Sequence, residues 1–342
     1  MRELAAECGF EIAGVARVEP LAEAEYYRTW MANGMAGEMH YLTGRRGDMR
    51  DDPRTLLPAA RSVICVGKLY NSSRPYSTAV TLEDQGWISR YAWGDDYHDV
   101  IRKGLARLES MLREEAGEFE SKICVDTAPL LERALARRAG LGWIGKNTSL
   151  INQARGSWFF LGELLVSLDI TPDTPPPDRC GTCTRCIDAC PTSAIVTAEG
   201  PGWAVDSRLC ISYFTIELRG TIPEEHRGGI GLHVFGCDIC QDVCPWNGRA
   251  GVSAAFEPRY YAPPLERLAA LSEDEFREMF RETPVTRARY AGFLRNVCVA
   301  MGNSGSERFR LALERLAAHT DPVIGEHARW ALDRLSAMDE HG

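Results

Sequence analysis

The chain has 342 residues, 45% hydrophobic and 25% charged, long enough for two or three cores and too long to be a small disulfide-stapled scaffold. Its 39 Lys+Arg against 48 Asp+Glu give a net charge of −9, which argues against holding nucleic acid by bulk charge but leaves a local basic face open. No apolar run reaches the length of a bilayer span, and the opening MRELAAECGF lacks a secretory pattern; a cytoplasmic protein with no membrane attachment is expected.

Up to about residue 170 the pattern is α/β. Apolar, β-branched runs at Phe10–Val15, Ser62–Leu69, Ile123–Val125 and Phe159–Leu168 read as strands. Asp96–Ala116 carries Val100, Ile101, Leu105, Leu108 and Leu112 on one helical face. Pro129–Ala139 reads as a second helix, with proline in its first turn and Gly140 as its stop. Thr171–Asp178 (TPDTPPPD) is a stiff break. Eight of the twelve cysteines follow it, between Arg179 and Trp246. Helices then return at Leu265–Phe280, Tyr290–Met301, Arg308–His319 and Val323–Ala337, the last two as a HEAT-like pair. Three regions are expected: 1–170 catalytic, 171–250 iron–sulfur and 251–342 helical.

Cys180-x2-Cys183-x2-Cys186-x3-Cys190-Pro191 is a complete bacterial ferredoxin run. Three closely spaced thiolates wrap one [4Fe–4S] cube, and the fourth, before proline, reaches a second. Cys237-x2-Cys240-x3-Cys244-Pro245 lacks a leading cysteine. Two cubes need eight thiolates and the runs supply seven, so Cys210, which lies between them, is the candidate eighth. Cross-ligation then pairs Cys180, Cys183, Cys186 and Cys244 with one cube, and Cys190, Cys210, Cys237 and Cys240 with the other. Cys8, Cys65, Cys124 and Cys298 sit in apolar surroundings and read as buried small hydrophobes.

Electron-carrying clusters fused to a large domain imply a redox centre there. No GxGxxG follows a strand and no P-loop occurs, so neither a Rossmann nicotinamide site nor a nucleotide cradle is supported. Asp126 closes a strand just before a helix, where it is either a functional carboxylate or a plain helix N-cap. Asp96-x-His98 begins the DxHxxG motif that supplies cobalt with a lower histidine, but Ile101 stands where glycine is required; His98 reads as an organiser of local hydrogen bonds. Lys146 is one of only four lysines and is either a cofactor or phosphate contact or a surface residue. Tyr97, Trp143 and Trp158 are either stacking surfaces or core. Residues 281–315 hold seven Arg and three Glu, with Tyr290 and Phe293 among them. That stretch suits an RNA loop or is a solvated helix face, and the bias of 35 Arg to 4 Lys across the chain weakens the first reading.

Taken in order, Asp96-Tyr97-His98, Val125-Asp126-Thr127, Gly145-Lys146-Asn147, the CxxCxxCxxxCP run, Cys210-Ile211-Ser212 and Cys237-Asp238-Ile239-Cys240-Gln241 resemble the epoxyqueuosine reductase family over about residues 10–250. The resemblance implies a nitroreductase-like domain binding base-off cobalamin, beside a ferredoxin-like two-cluster module and a HEAT-like helical extension. It implies reduction of the epoxide of epoxyqueuosine at the tRNA wobble position, the last step of queuosine formation. It assigns Asp126 as proton donor, and Arg50, Ser89, Asp126, Leu150, Leu161, Ser212 and Asp238 as cobalamin contacts. The resemblance also places Arg219 in a loop after Cys210 that is similar to a tRNA-contacting region. A monomer fed by an external low-potential electron donor is expected. The chemistry agrees, since deoxygenating an epoxide needs two electrons, protons and a carbon-reactive centre, and ferredoxin-type cubes reach low potentials. Burial against the corrin is expected to raise the Asp126 pKa, so that Asp126 is neutral when substrate binds.

Two other functions stay in view. A cobalamin-dependent reductive dehalogenase shares the cofactor layout but usually carries a twin-arginine signal, which this sequence lacks. A ferredoxin-type electron carrier without catalysis has no need of some 170 residues before its clusters.

Overall fold

Strands Ile12–Arg17 (β1), Ser62–Leu69 (β2), Ser121–Cys124 (β3) and Phe159–Val166 (β4) form one sheet in the order β1-β2-β4-β3. This is a computed structural model, which describes residues 1–199, 202–253, 255–256 and 258–339. Every neighbouring pair in the sheet is antiparallel, so Asp126 does not lie at the carboxyl edge of a parallel α/β sheet, as the sequence pattern suggests. The reason lies in the layers. Antiparallel sheets often leave one face to water, but here both faces are covered and the strands read as continuous apolar runs.

One face carries Ile64, Val66, Leu164 and Val166 under helix Tyr97–Ala116 (α1), which contributes Ile101, Leu105, Leu108 and Leu112. The Asp96 side chain caps α1 by accepting from the His98 backbone N–H at 3.0 Å. A Cβ at Gly162 would come within 2.5 Å of the Ile101 side chain, so glycine lets α1 lie close on β4. The other face carries Val63, Cys65 and Leu165 under helix Glu132–Arg138 (α2), with Leu135 and Ala136. α2 begins three residues after Pro129 rather than on it. Residues 125–131 instead form a loop with tight turns: Thr127 N–H donates to Val125 O at 2.5 Å and Leu130 N–H to Ala128 O at 2.8 Å.

The expected helix 265–280 is two helices, Leu265–Ala269 (α3) and Glu273–Met279 (α4). Ser272 and Glu275 form a reciprocal capping box that starts the second. Helix Arg289–Ser304 (α5) ends at left-handed Gly305. It and Arg310–Ala317 (α6) both pack on Pro322–Asp339 (α7). This helical core also takes in Trp87, Ile88, Ala92 and Trp93, and Trp87–Ile88 pairs in parallel with His233–Phe235. A segment from the first expected region is therefore built into the other two. The described helices include none long and apolar enough to cross a membrane.

Candidate active site and cysteine clusters

All twelve cysteines are free thiols. Tight turns draw the motif cysteines together: Cys183 N–H donates to Cys180 O at 3.1 Å and Cys244 N–H to Gln241 O at 3.1 Å. Cys186 lies within electrostatic reach of Cys180, Cys183 and Cys244. Cys210 faces Cys190 and Cys237 faces Cys240 and Cys210, while Cys240 feels Cys210, Cys190 and Cys186. The geometry thus brings together the two quartets drawn from the sequence, with the thiols of Cys186 and Cys240 facing across the gap between them. No group of three or more His, Cys, Asp or Glu among the described residues is spaced for a single metal ion.

The first quartet lines a cavity of about 350 Å³ together with Lys146, Arg179, Arg185 and Arg249. Lys146 Nζ donates to the Cys183 carbonyl at 2.9 Å, so this lysine belongs to the wall of the cluster cavity. Its cationic surroundings suit a thiolate-bound, anionic guest. Cys65, Cys124 and Cys298 are buried and Cys8 half-buried, away from both quartets.

Asp126 stands at the apex of the 125–131 loop with φ +46°. Left-handed backbone is strained for a residue with a side chain, though Asp tolerates it better than most. The helix-cap reading fails, because the N-cap of α2 is Leu131. Instead the carboxylate meets His98 Nε2 at 3.2 Å, and His98 Nδ1 meets Asp96 at 2.6 Å. His98 thus bridges two carboxylates at the start of α1. The Tyr97 hydroxyl also faces Asp126, and its ring stacks on Phe160 at 4.1 Å. Arg46 and Arg50 pin the loop by donating to Thr127 O and Leu130 O, each at 2.7 Å.

The charge balance differs from expectation. Burial alone would push the Asp126 carboxyl up, but the His98 hydrogen bond and charge, the Tyr97 hydroxyl and Arg287 together hold it below its ordinary value. The hydrogen bond to Asp126 correspondingly lifts the His98 imidazole above its ordinary value, against burial, with Asp96 adding to it. Both shifts favour an imidazolium beside a carboxylate in the open site; the neutral Asp126 expected when substrate binds concerns the site covered by corrin and substrate. Burial is the largest single influence on this carboxyl, and only the partners acting together outweigh it.

The other residues assigned from the sequence fall in two groups. Arg50 holds the 125–131 loop, and Leu150 and Leu161 pack in the apolar layer beneath it. Ser89 and Asp238 are bonded to each other: buried Asp238 accepts from Ser89 Oγ at 2.5 Å, Trp87 Nε1 at 3.1 Å and Arg90 N–H at 2.7 Å. Tyr91 lies between the groups, close enough to both Asp126 and Asp238 to feel each charge. Ser212 places its backbone N–H and hydroxyl against the Cys210 sulfur. Trp143 and Trp158 are fully buried core residues.

Arg219 is exposed and anchored through the carbonyls of Ile216 and Arg287 at 3.2 and 2.8 Å. Beside it stand Arg287 and Arg289. Arg287 bonds Glu217 at 2.6 Å and lies 5.1 Å above the Tyr41 ring. Sequence reasoning missed this Tyr41–Glu217–Arg287 cluster next to Asp126, whose three members come from distant segments. The 281–315 stretch is otherwise structural. Phe293 and Arg295 are in the core, Arg295 bonding the carbonyls of Phe214, Leu218 and Gly220. Arg281 and Arg308 are paired with Glu278 and Asp84.

Comparison with known proteins decides the family. The model of "Epoxyqueuosine reductase QueG, DUF1730" matches residues 50–127, and that of a 4Fe-4S double cluster binding domain matches residues 179–247. The epoxyqueuosine reductase of Xanthomonas campestris pv. campestris is 42% identical over 341 residues, covering 97% of this chain and 94% of that one. The chain belongs to the epoxyqueuosine reductase family, and is thus an oxidoreductase with a two-cluster iron–sulfur domain. Its fold matches a crystal structure of epoxyqueuosine reductase with an epoxyqueuosine-modified tRNA-Tyr stem loop (TM-score 0.85, 31% identity, 97% of this chain and 88% of that one). It also matches the Bacillus subtilis enzyme with its aspartate-bearing catalytic loop swung out of the active site (TM-score 0.82, 31% identity, 97% and 88%).

Proposed function

We propose that this protein reduces the epoxide of epoxyqueuosine in tRNA to queuosine, with Asp126 as the acid and cobalamin as the carbon-reactive cofactor. The observation that carries the reading is the Asp96–His98–Asp126 line, which ends in an exposed carboxylate on a loop flanked by the proposed cofactor contacts. Opening the ring and releasing its oxygen as water takes two electrons and two protons. The cysteine quartets would hold two [4Fe–4S] cubes, Cys180, Cys183, Cys186 and Cys244 one, Cys190, Cys210, Cys237 and Cys240 the other, which bring low-potential electrons from an external donor.

The residues present fit a corrin. Arg50 Nε is buried without a hydrogen-bond partner, a donor that a corrin amide oxygen would satisfy. Leu150 and Leu161 offer apolar surface, and Ser89 and Asp238 fix the backbone on the far side. When bound, cobalamin supplies two-electron chemistry at carbon that no protein side chain can.

The protein's own part is the proton. The His98–Asp126 pair stores one as an imidazolium beside a carboxylate. Covering the pair with cofactor and substrate removes water, disfavours both charges and drives the proton from His98 Nε2 to Asp126. Neutral Asp126 then donates to the epoxide oxygen. His98 acts through Asp126 and Asp96 orients it, so both are positioning residues. The Arg219–Arg287–Arg289 edge beside Asp126 offers phosphate contacts that bring a turned-out wobble base to the site. Residues 1–170 would then carry the acid and most cofactor contacts, 171–250 the electron relay, and 251–342 the RNA-facing support.

Anaerobic incubation with cobalamin, a strong reductant and epoxyqueuosine-containing tRNA, followed by nucleoside mass analysis, tests this. Queuosine, lighter by one oxygen, is expected, and unchanged epoxyqueuosine with fully loaded protein would sink the proposal.

A further inference from the structure

Two buried carboxyl groups behind the Asp126 loop have no part in the chemistry above. Glu163 lies in central strand β4, opposite Cys65 of β2 and Cys124 of β3. Cys124 precedes Asp126 by two residues, and Glu132 opens α2 six residues after it. The pair therefore sits at the root of the loop, between its incoming strand and its outgoing helix. Glu163 is completely buried. Neither of its oxygens has a hydrogen-bond donor, and Glu132 Oε1 is equally buried and unpaired. What each carboxyl faces is the other, and Glu132 also faces the backbone N–H of Asp126. Two carboxylates cannot both stay ionised in such a place; a proton held between them turns repulsion into a hydrogen bond.

We infer that Glu132 and Glu163 form a one-proton latch that holds the Asp126 loop in its working position. Glu163 carries the proton and donates to Glu132; Glu132, fixed by it, accepts from the Asp126 N–H and steadies the strained turn. The inference rests on the proposed role of Asp126 for its importance to turnover, though not for its existence.

The groups around the pair favour keeping that proton. Around Glu163 stand Glu132, Asp126 and the thiols of Cys65 and Cys124. Around Glu132 stand Asp126, Glu163, Tyr97 and one cation, Arg133. Burial, then the negative charge of Asp126, pushes Glu132 up to about 7. Burial, then Glu132, pushes Glu163 well above the usual carboxyl range. The sign follows: an acid whose folded pKa is raised stabilises the fold most below its unfolded value and loses that contribution as pH rises through the folded one. The latch opens on the alkaline side.

Hydrogen exchange on the cluster-loaded, substrate-free protein, read as protection factors for residues 125–131 between about pH 6 and about pH 9, tests this apart from catalysis. Protection in the unaltered protein should fall about tenfold over that range. Glu163→Gln keeps a donor for Glu132 with no proton to lose, so its protection should be independent of pH. Glu132→Ala, which removes the acceptor, should lower protection about tenfold at every pH and reduce kcat without changing KM for the tRNA. A Glu163→Gln protein that follows the unaltered pH course, or a Glu132→Ala protein with undiminished protection, would overturn the latch. If Asp126 were not the acid, Asp126→Asn would remain fully active while exchange still depended on Glu163, so the two failures are distinguishable.

Discussion

Asp238 and Glu163 are both carboxyl groups sealed inside the molecule, yet their surroundings make them opposite devices. Asp238 receives three donors, from Trp87, Ser89 and Arg90, and ties the segment at 87–90 to the second cysteine run. Glu163 receives none and faces another carboxyl, so it has to hold a proton. Asp126 stands between these extremes, half exposed and sharing one proton with His98. Burial alone therefore does not decide what a carboxyl does; the donors aimed at it do.

The largest effect is expected at the cysteines. Replacing Cys210 with alanine should remove one ligand of the second cube, lowering iron from about eight to about four per chain or making half of it labile, and abolish turnover. Iron analysis with electron paramagnetic resonance reads this; about eight tightly held irons would remove Cys210 from the set.

Asp238→Ala leaves the Trp87, Ser89 and Arg90 donors buried and unpaired, and should cost about 3 kcal/mol in denaturant unfolding. Glu163→Gln should instead gain stability at alkaline pH, where the native pair is being stripped of its proton. If both variants lost stability alike at every pH, the contrast between the two sites would be wrong.

The His98 imidazolium is held above its ordinary value by Asp126, so its contribution is full at low pH and disappears as pH rises through that raised value. The alkaline limb of turnover should follow it. His98→Gln should slow turnover by about one to two orders of magnitude and remove that limb, and an unchanged pH profile would remove His98 from proton supply. Its effect is seen in the chemical step, whereas the Glu163 latch is seen in exchange of the loop. The smallest effect belongs to the RNA edge. Arg287→Gln with Arg289→Gln should weaken tRNA binding and reduce the salt slope by about two; filter binding across salt concentrations measures it.

The cysteine runs were legible because their chemistry is written in local spacing, and the count of eight thiolates pointed to Cys210 and to ligands crossing between the runs. Asp126 stood out as a polar residue at a strand end. Its pairing with His98 did not, because the two lie 28 positions apart with the rest of α1 and strand β3 between them. The sheet read as α/β because layers on both faces make antiparallel strands as uniformly apolar as parallel ones. Glu163 carries no sequence signal: a single acid in FFLGELLV looks like the solvent face of an edge strand until β2 and β3 flank it. Arg295 shows the converse, a basic residue in an apparent RNA-facing run whose guanidinium is spent on backbone carbonyls in the core.

All of the proposed chemistry depends on the proton carried by Asp126. Its most direct measurement is a single-turnover comparison of the unaltered and Asp126→Asn proteins, equally loaded with iron and cobalamin, on epoxyqueuosine-containing tRNA. The variant should form queuosine about 10²–10⁴ times more slowly while binding tRNA and cofactor as before. Equal rates in the two proteins would contradict it.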